Sequence, residues 1–170
     1  MNLKVKNMLY CSMFVCIISL LAQIKIDLPS LVPITLQTLG IYLASCILKP
    51  KLAFCVSLVY VLAGAIGLPV FSGFGGGLSS LLGPTGGYIF SFPIMAFVIS
   101  LIANKRSSNI LKVIAMLIGT GICYLIGTIW FIFLTKNTLF PSLMMCVIPF
   151  IPGDIIKIII ATLLSNKIKL

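Results

Sequence analysis

The 170-residue chain is 61% hydrophobic and only 8% charged, and its mean hydropathy is +1.26. Since a soluble domain carries about 25% charged residues, this composition excludes an ordinary water-soluble fold and predicts one membrane-embedded domain over residues 1–170. The net charge of +10 comes from 12 basic and 2 acidic residues. The basic residues are scattered between apolar runs and form no clustered patch, which argues against nucleic-acid binding.

Apolar runs divide the chain into about six membrane-spanning helices, each of which needs about 20 apolar residues. The first run follows two lysines as a signal peptide would, but no clear cleavage site follows it, so we predict an uncleaved helix. Prolines 149 and 152 split the last stretch into a short outer helix and a sixth helix that starts near Pro152. The predicted helices are 8–24, 34–48, 52–68, 88–103, 110–134, the short outer segment 139–148, and the sixth from 152 to about 164.

The charges between these runs predict the orientation of an all-α, six-helix bundle. With the N-terminus inside, nine basic residues lie in inner segments and two in outer ones, which is a strong positive-inside bias. The inner residues are Lys4, Lys6, Lys49, Lys51, Lys105, Arg106, Lys112, Lys167 and Lys169, and the outer ones are Lys25 and Lys136. Both termini are therefore predicted to be cytoplasmic.

Residues for metal or acid–base chemistry are scarce. The chain has no histidine, and its six cysteines form no C-x-x-C pair, so the usual metal sites and resident cofactors are not predicted. No nucleophile–base pair is present, and no second carboxylate lies near Asp154 in the sequence. The chain is therefore not predicted to be an enzyme.

A glycine-rich segment, residues 72–87, lies between the third and fourth predicted helices. It carries no charge and contains no phosphate-binding loop motif. We predict that it folds back over or into the outer face of the bundle, although a flexible apolar connector is the alternative. Glycines let backbone groups approach a small ligand closely. The candidate residues in and beside this segment are Phe74, Gly75, Gly76, Gly77, Thr85, Gly86 and Tyr88.

Asp154 is the one acidic residue inside a predicted span, and Lys157 lies on the same helix face three residues later. Burying charge in a membrane is costly, so this pair predicts a ligand site, with a pair that only pins helix packing as the alternative. Thr35 and Gln37 enter the second helix as further polar candidates. Hydrogen bonding between helices is the alternative role for Gln37.

Four motifs, in order along nearly the whole chain, resemble the BioY family of biotin-binding S components of energy-coupling factor (ECF) transporters. They are VPITLQT at 32–38, GAIGLPVF at 64–71, LGPTGGY at 82–88 and PFIPGDIIK at 149–157. The resemblance implies a six-helix S-component fold that binds biotin near the outer surface of a bacterial plasma membrane. It also implies that the glycine-rich loop and the Asp154-x-x-Lys157 motif contact the vitamin.

The resemblance further implies three partner subunits, namely a transmembrane coupling protein and two ATPase subunits that energise release inside. First helices of this family carry small residues, commonly alanines, that face the coupling protein. Ser12 and Cys16 are the nearest match here. Two alternative functions stay open, namely a membrane scaffold or assembly subunit that transports nothing, and an S component for another small vitamin.

Matching biotin to these residues suggests a pose. Asp154 would accept a hydrogen bond from a ureido N–H, and Lys157 would donate to the ureido oxygen. The glycine backbone with Thr85 or Tyr88 would then hold the valerate end. The alternative pose places the valerate carboxylate on Lys157, and the sequence does not choose between the two.

Overall fold

The computed structural model describes residues 3–27, 32–105 and 108–168. Within these ranges the chain is helical, as predicted. One two-stranded antiparallel ladder, which was not predicted, is added to the helices. The helices are α1 (Leu3–Gln23), α2 (Gln37–Ile47), α3 (Pro50–Ala65), α4 (Leu78–Leu82), α5 (Gly86–Ala103), α6 (Asn109–Thr135), α7 (Leu139–Cys146) and α8 (Ile151–Lys167). The predicted inner charges Arg106 and Lys169 lie outside the described residues.

Four segments of the described chain are long and apolar enough to cross a bilayer, which supports a multi-pass membrane protein. They are α1, α5, α6 and the stretch Leu139–Lys167, which contains both α7 and α8. The apolar helices α2 and α3 are shorter than that, with 11 and 16 residues. The count of six spans and the orientation of the termini therefore stay predictions.

The short helix α2 lies inside the bundle and packs against α1, α5 and α8. Nine of its eleven residues are buried, including the fully buried ring of Tyr42. A short helix at membrane depth is tolerated where protein surrounds it. The central position of α2 therefore explains how an 11-residue helix fits among longer ones.

The chain before α2 is extended, so that helix begins three residues later than predicted. Ile34–Thr35 forms a strand, β2, that pairs antiparallel with β1, Lys25–Ile26. Both β2 residues are β-branched, which favours extended backbone. The Thr35 hydroxyl accepts a 3.3 Å hydrogen bond from the Gln37 backbone N–H at the start of α2. The ladder thus links the end of α1 to the entry of α2.

The glycine-rich segment packs on the bundle as predicted and is not a loose connector. Phe71 is buried, with its ring centroid 5.6 Å from that of Tyr60 and no room for a side chain at Gly64 beneath it. The Gln23 amide at the end of α1 donates to the Phe71 carbonyl at 3.2 Å and accepts from the Phe74 N–H at 2.7 Å. Which side of the membrane this segment faces stays a prediction.

The last helix begins at the proline pair, close to the predicted position. A 3-10 turn, Ile148–Phe150, follows α7 and leads into α8 at Ile151. Pro152 occupies the first turn, where its missing N–H costs no intrahelical hydrogen bond. Asp154 consequently lies in the first turn of α8, where the partial positive charge of the helix N-terminus favours a carboxylate.

Candidate functional site: a polar cavity around Asp154 and Lys157

A cavity of about 400 Å³ lies between α2, α5, α6 and α8 and beneath the glycine-rich segment. This volume falls within the range of about 300–1,000 Å³ typical of small-molecule sites. The described residues that line it with polar side chains are Lys25, Asp27, Thr35, Gln37, Thr38, Tyr42, Ser72, Ser79, Ser80, Thr85, Tyr88, Thr120, Cys123, Tyr124, Asp154 and Lys157. Apolar walls come from Val32, Pro33, Phe71, Ile89, Phe92, Met95 and Phe150.

The Asp154–Lys157 pair lies at the buried part of this cavity. Lys157 Nζ is 2.8 Å from Asp154 Oδ1, and the two side chains are 5% and 8% exposed, respectively. The predicted buried ion pair is therefore present, and it opens onto a cavity instead of being sealed between helices. Loss of one partner would leave a buried charge uncompensated, which is strongly destabilising.

Two further side chains complete the pair, and the sequence did not single out either of them. The Tyr124 hydroxyl of α6 donates to Asp154 Oδ2 at 2.5 Å, and Lys157 donates to Thr38 Oγ1 of α2 at 3.1 Å. Thr38 lies inside the first quoted motif, which could have marked it. Tyr124 lies on the same face of α6 as Thr120 and Thr128, one helical turn to either side, and this polar spacing could have marked it.

The Asp154–Lys157 ion pair keeps unused hydrogen-bonding positions toward the cavity. A carboxylate offers about four lone-pair positions, and Asp154 uses one on each oxygen within the described residues. An ammonium carries three donors, of which Lys157 uses two. The site can therefore accept hydrogen bonds through Asp154 and donate one through Lys157 to the same ligand.

Gln37 and Thr35 also line the cavity, and both side chains make hydrogen bonds within the protein. The Gln37 amide donates to the Tyr60 hydroxyl at 2.6 Å, and Tyr60 donates to the Val70 carbonyl at 2.9 Å. This chain of bonds joins α2 and α3 to the residues that precede the glycine-rich segment. The predicted alternative role for Gln37, hydrogen bonding between helices, is thus present beside its place in the cavity wall.

A second polar contact missing from the sequence predictions closes the wall between α2 and α6. The Tyr42 and Thr120 hydroxyls are 2.6 Å apart, and Thr120 donates to the Met116 carbonyl at 2.7 Å. Because a hydroxyl has one proton, Tyr42 is then the donor of the shared bond. Both hydroxyls already have hydrogen-bond partners within the protein, so they form the cavity wall and are less available to a ligand.

Thr85 and Tyr88 line the cavity near the start of α5, as the sequence predicted for ligand-facing residues. The Tyr88 hydroxyl lies 3.3 Å from the Cys146 carbonyl and 3.4 Å from Thr128 Oγ1. Its ring presses on Gly127, where an added Cβ would lie 2.3 Å from ring carbons. Tyr88 is therefore held firmly as a wall residue.

Five other predicted site residues are not brought to the cavity wall, namely Phe74, Gly75, Gly76, Gly77 and Gly86. A Cβ at Gly76 would lie 2.4 Å from the Leu68 carbonyl oxygen, and one at Gly86 would lie 1.7 Å from that of Leu81. These two glycines permit close packing between backbone segments. Gly83, which was not predicted, is the glycine of this region that lines the cavity.

The predicted partner-contact residues lie elsewhere, on the exposed side of α1. Ser12 and Cys16 are both exposed and one helical turn apart, so they share a face. The Ser12 hydroxyl bonds within its own helix to the Leu9 carbonyl at 3.0 Å. Neither residue approaches the cavity.

Comparison with known proteins finds relatives along the whole chain. The model of the BioY family matches residues 1–170. A protein of Pyrococcus horikoshii named "Probable biotin transporter BioY" is 38% identical over 168 residues, which is 98% of each chain. A second, "Biotin transporter BioY" of Thermotoga maritima, is 35% identical over 96% of each chain.

A solved structure has the same architecture. It is the crystal structure of the S-component for biotin from an ECF-type ABC transporter, which superposes with a TM-score of 0.91 at 31% sequence identity. The match covers 98% of this chain and 93% of that one. With a full-length family match, relatives above 30% identity and a shared fold, the chain belongs to the BioY family.

Proposed function

We propose that this protein is the biotin-binding S component of an ECF-type transporter and that it binds the vitamin in the cavity around Asp154. The observation that carries the proposal is a buried carboxylate–ammonium pair that faces a cavity of about 400 Å³. The names of the relatives and of the matching structure, which all specify biotin, support the choice of ligand.

The chemistry of the ureido ring suits the pair. This ring presents N–H donors and a carbonyl acceptor side by side. Asp154 has unused acceptor positions and the neighbouring Lys157 has an unused N–H donor, so the pair is complementary to the ring. In our proposal, a ureido N–H donates to Asp154, and Lys157 donates its remaining N–H to the ureido oxygen. Phe92, Met95 and the other apolar wall residues exclude water around these bonds, so each lost bond costs about 1–3 kcal/mol.

The alternative pose, with the valerate carboxylate on Lys157, is less favourable electrostatically. Asp154 Oδ1 is only 2.8 Å from Lys157 Nζ, so a second carboxylate there would lie against the first. Like charges in a buried site disfavour one another strongly. We therefore place the ureido ring at the buried pair and the valerate chain toward Thr85 and the glycine-rich segment.

Uptake requires partners, because no nucleotide-binding motif occurs in this chain. We propose that the protein lies in a bacterial plasma membrane with both termini cytoplasmic and the cavity facing outward. The α1 face with Ser12 and Cys16 would contact a transmembrane coupling protein. Two ATPase subunits bound to that protein would drive release of biotin to the inside.

Removal of the Asp154 charge tests the ligand site. Asp154→Asn is nearly isosteric, but it replaces acceptor lone pairs with an amide N–H where the ureido N–H and Tyr124 both need an acceptor. We expect biotin affinity to fall at least tenfold by isothermal titration calorimetry in detergent. Lys136→Gln, at an exposed residue that does not line the cavity, serves as the control variant and should bind biotin as the wild type does.

Two outcomes would overturn the proposal. Unchanged biotin affinity in Asp154→Asn, with the protein still folded, would remove Asp154 from the site. A purified wild-type protein that carries no co-purified biotin by mass spectrometry and is not stabilised by added biotin would favour the alternatives. Stabilisation by a different vitamin would then indicate another S component, and no ligand response at all would indicate a scaffold subunit.

A further inference from the structure

A second ion pair lines the same cavity at its solvent-facing end. Lys25 Nζ is 2.9 Å from Asp27 Oδ1, and these side chains are 34% and 69% exposed. Lys25 lies on β1 directly opposite Thr35 of β2, and both residues line the cavity. Since residues opposite each other in an antiparallel ladder share a face, the ladder orients the lysine toward the cavity.

A buried hydroxyl without a partner belongs to a second residue at this end of the cavity. Ser72 lines the cavity, and its Oγ is buried and has no hydrogen-bond partner among the described residues. The next residue, Gly73, has φ +66°, and a Cβ built on it would lie 3.1 Å from Lys25 Nζ and 3.2 Å from its Cε. The lysine thus lies across Gly73, the residue that follows Ser72. Buried polar groups without a partner are rare and call for an explanation.

We infer that Lys25 and Ser72 form the subsite for the ligand carboxylate and make the site selective for the free acid. This inference rests on the proposed function, in which the ureido ring occupies the buried pair. Lys25 has three donors and uses one on Asp27, so it can donate to a ligand carboxylate as well. By rotation about χ1 toward the cavity, the Ser72 hydroxyl would donate to the second carboxylate oxygen and so gain the partner that it lacks.

The charges of the cavity favour this assignment. Among the described residues that line it, the cations are Lys25 and Lys157. Asp154 neutralises Lys157, and both side chains are at most 8% exposed. Lys25 instead pairs with the Asp27 carboxylate, which is 69% exposed and therefore solvated by water as well. Asp27 can therefore give way to an incoming carboxylate at small cost, because exposed ion pairs contribute little.

Binding of biotin and of its neutral primary amide tests the subsite in the full-length protein. We expect Lys25→Gln to weaken biotin binding about five- to tenfold while changing the affinity for the amide less than twofold. Ser72→Ala should weaken biotin about twofold to threefold. Asp27→Asn should tighten biotin about twofold because a competing anion is lost, and Lys25→Arg should retain most of the selectivity for the acid.

The matched control is Lys136→Gln, which removes an exposed lysine that does not line the cavity. It should leave both affinities unchanged. Equal losses for biotin and the amide in Lys25→Gln, or no loss for either, would overturn the subsite while wild-type binding of biotin keeps the proposed function intact. A wild-type protein that binds neither compound would overturn both. If Lys25→Gln fails to fold, Asp27→Asn decides by whether it changes biotin affinity relative to the amide.

Discussion

Two buried lysines on opposite parts of the bundle have different surroundings. Lys157 bonds to a carboxylate and faces the cavity. Lys112, which is 9% exposed, leaves the first turn of α6 and donates to Ser165 Oγ at 3.0 Å and Asn166 Oδ1 at 2.7 Å. Both acidic side chains of the protein are paired elsewhere, so the partners of Lys112 among the described residues are neutral oxygens.

Helix α8 stabilises charge at both of its ends. Asp154 lies in its first turn, where the helix N-terminus is partly positive, and the Lys112 ammonium reaches its last turn, where exposed carbonyls are partly negative. The difference is that Lys112 ties α6 to α8 and does not line the cavity, whereas Asp154 and Lys157 line it and keep hydrogen-bonding capacity toward it. Of the two buried lysines, the one that adjoins unfilled volume therefore marks the candidate binding site.

Substitution of each buried lysine, Lys157 and Lys112, by methionine should give the largest difference in stability and in biotin affinity. Lys157→Met leaves Asp154 buried and uncompensated, so we expect a loss of about 3–5 kcal/mol in the free energy of unfolding. Biotin affinity should fall more than tenfold. Thermal unfolding in detergent and calorimetric titration measure the two effects.

The double variant Asp154→Leu/Lys157→Met is the control for that experiment. Removing both charges should restore most of the stability, because replacing a buried ion pair by apolar residues is often neutral. Biotin binding should stay lost. A double variant that binds biotin normally would show that the pair only pins the helices.

The hydroxyl that orients Asp154 should have a smaller effect. Tyr124→Phe removes the O–H that donates to Asp154 Oδ2 and lets the carboxylate turn away from the ligand. We expect biotin affinity to fall about three- to tenfold, which corresponds to about 0.7–1.4 kcal/mol and lies within the range for one hydrogen bond. Tyr10→Phe, on α1 and away from the cavity, should bind biotin as the wild type does. Equal affinities in the two variants would remove Tyr124 from the site.

The charged centre of the site was predictable from local sequence. Asp154 is the one acid in an apolar span, the spacing to Lys157 places both on one face, and Pro152 marks the start of the helix. Tyr124 was not predicted, although it shares a helix face with Thr120 and Thr128, which lie one turn to either side of it on α6. This spacing indicates a polar face of α6, but it does not state that the face meets Asp154 of α8, which depends on packing.

The glycine-rich segment shows a different limit. Its composition predicted close backbone approach, and close approach occurs, but at Gly76 and Gly86 the neighbour is another backbone segment. A glycine gives the same signal whether a ligand or a carbonyl lies beside it. Lys112 shows a similar limit, because a lysine near the end of an apolar run gives the same signal whether its side chain is exposed or, as here, lies between two helices.

The smallest effect is expected at the second lysine. Lys112→Met removes two hydrogen bonds from the ammonium and its attraction to the end of α8, but Asn166 is exposed and can bond to water instead. We expect a loss of about 1–2 kcal/mol in the free energy of unfolding and biotin affinity within twofold of the wild type. Thermal unfolding and titration beside Lys157→Met measure both. A loss of biotin affinity as large as that of Lys157→Met would mean that the two ends of α8 are coupled, so that the contact at Lys112 also sets the geometry of Asp154.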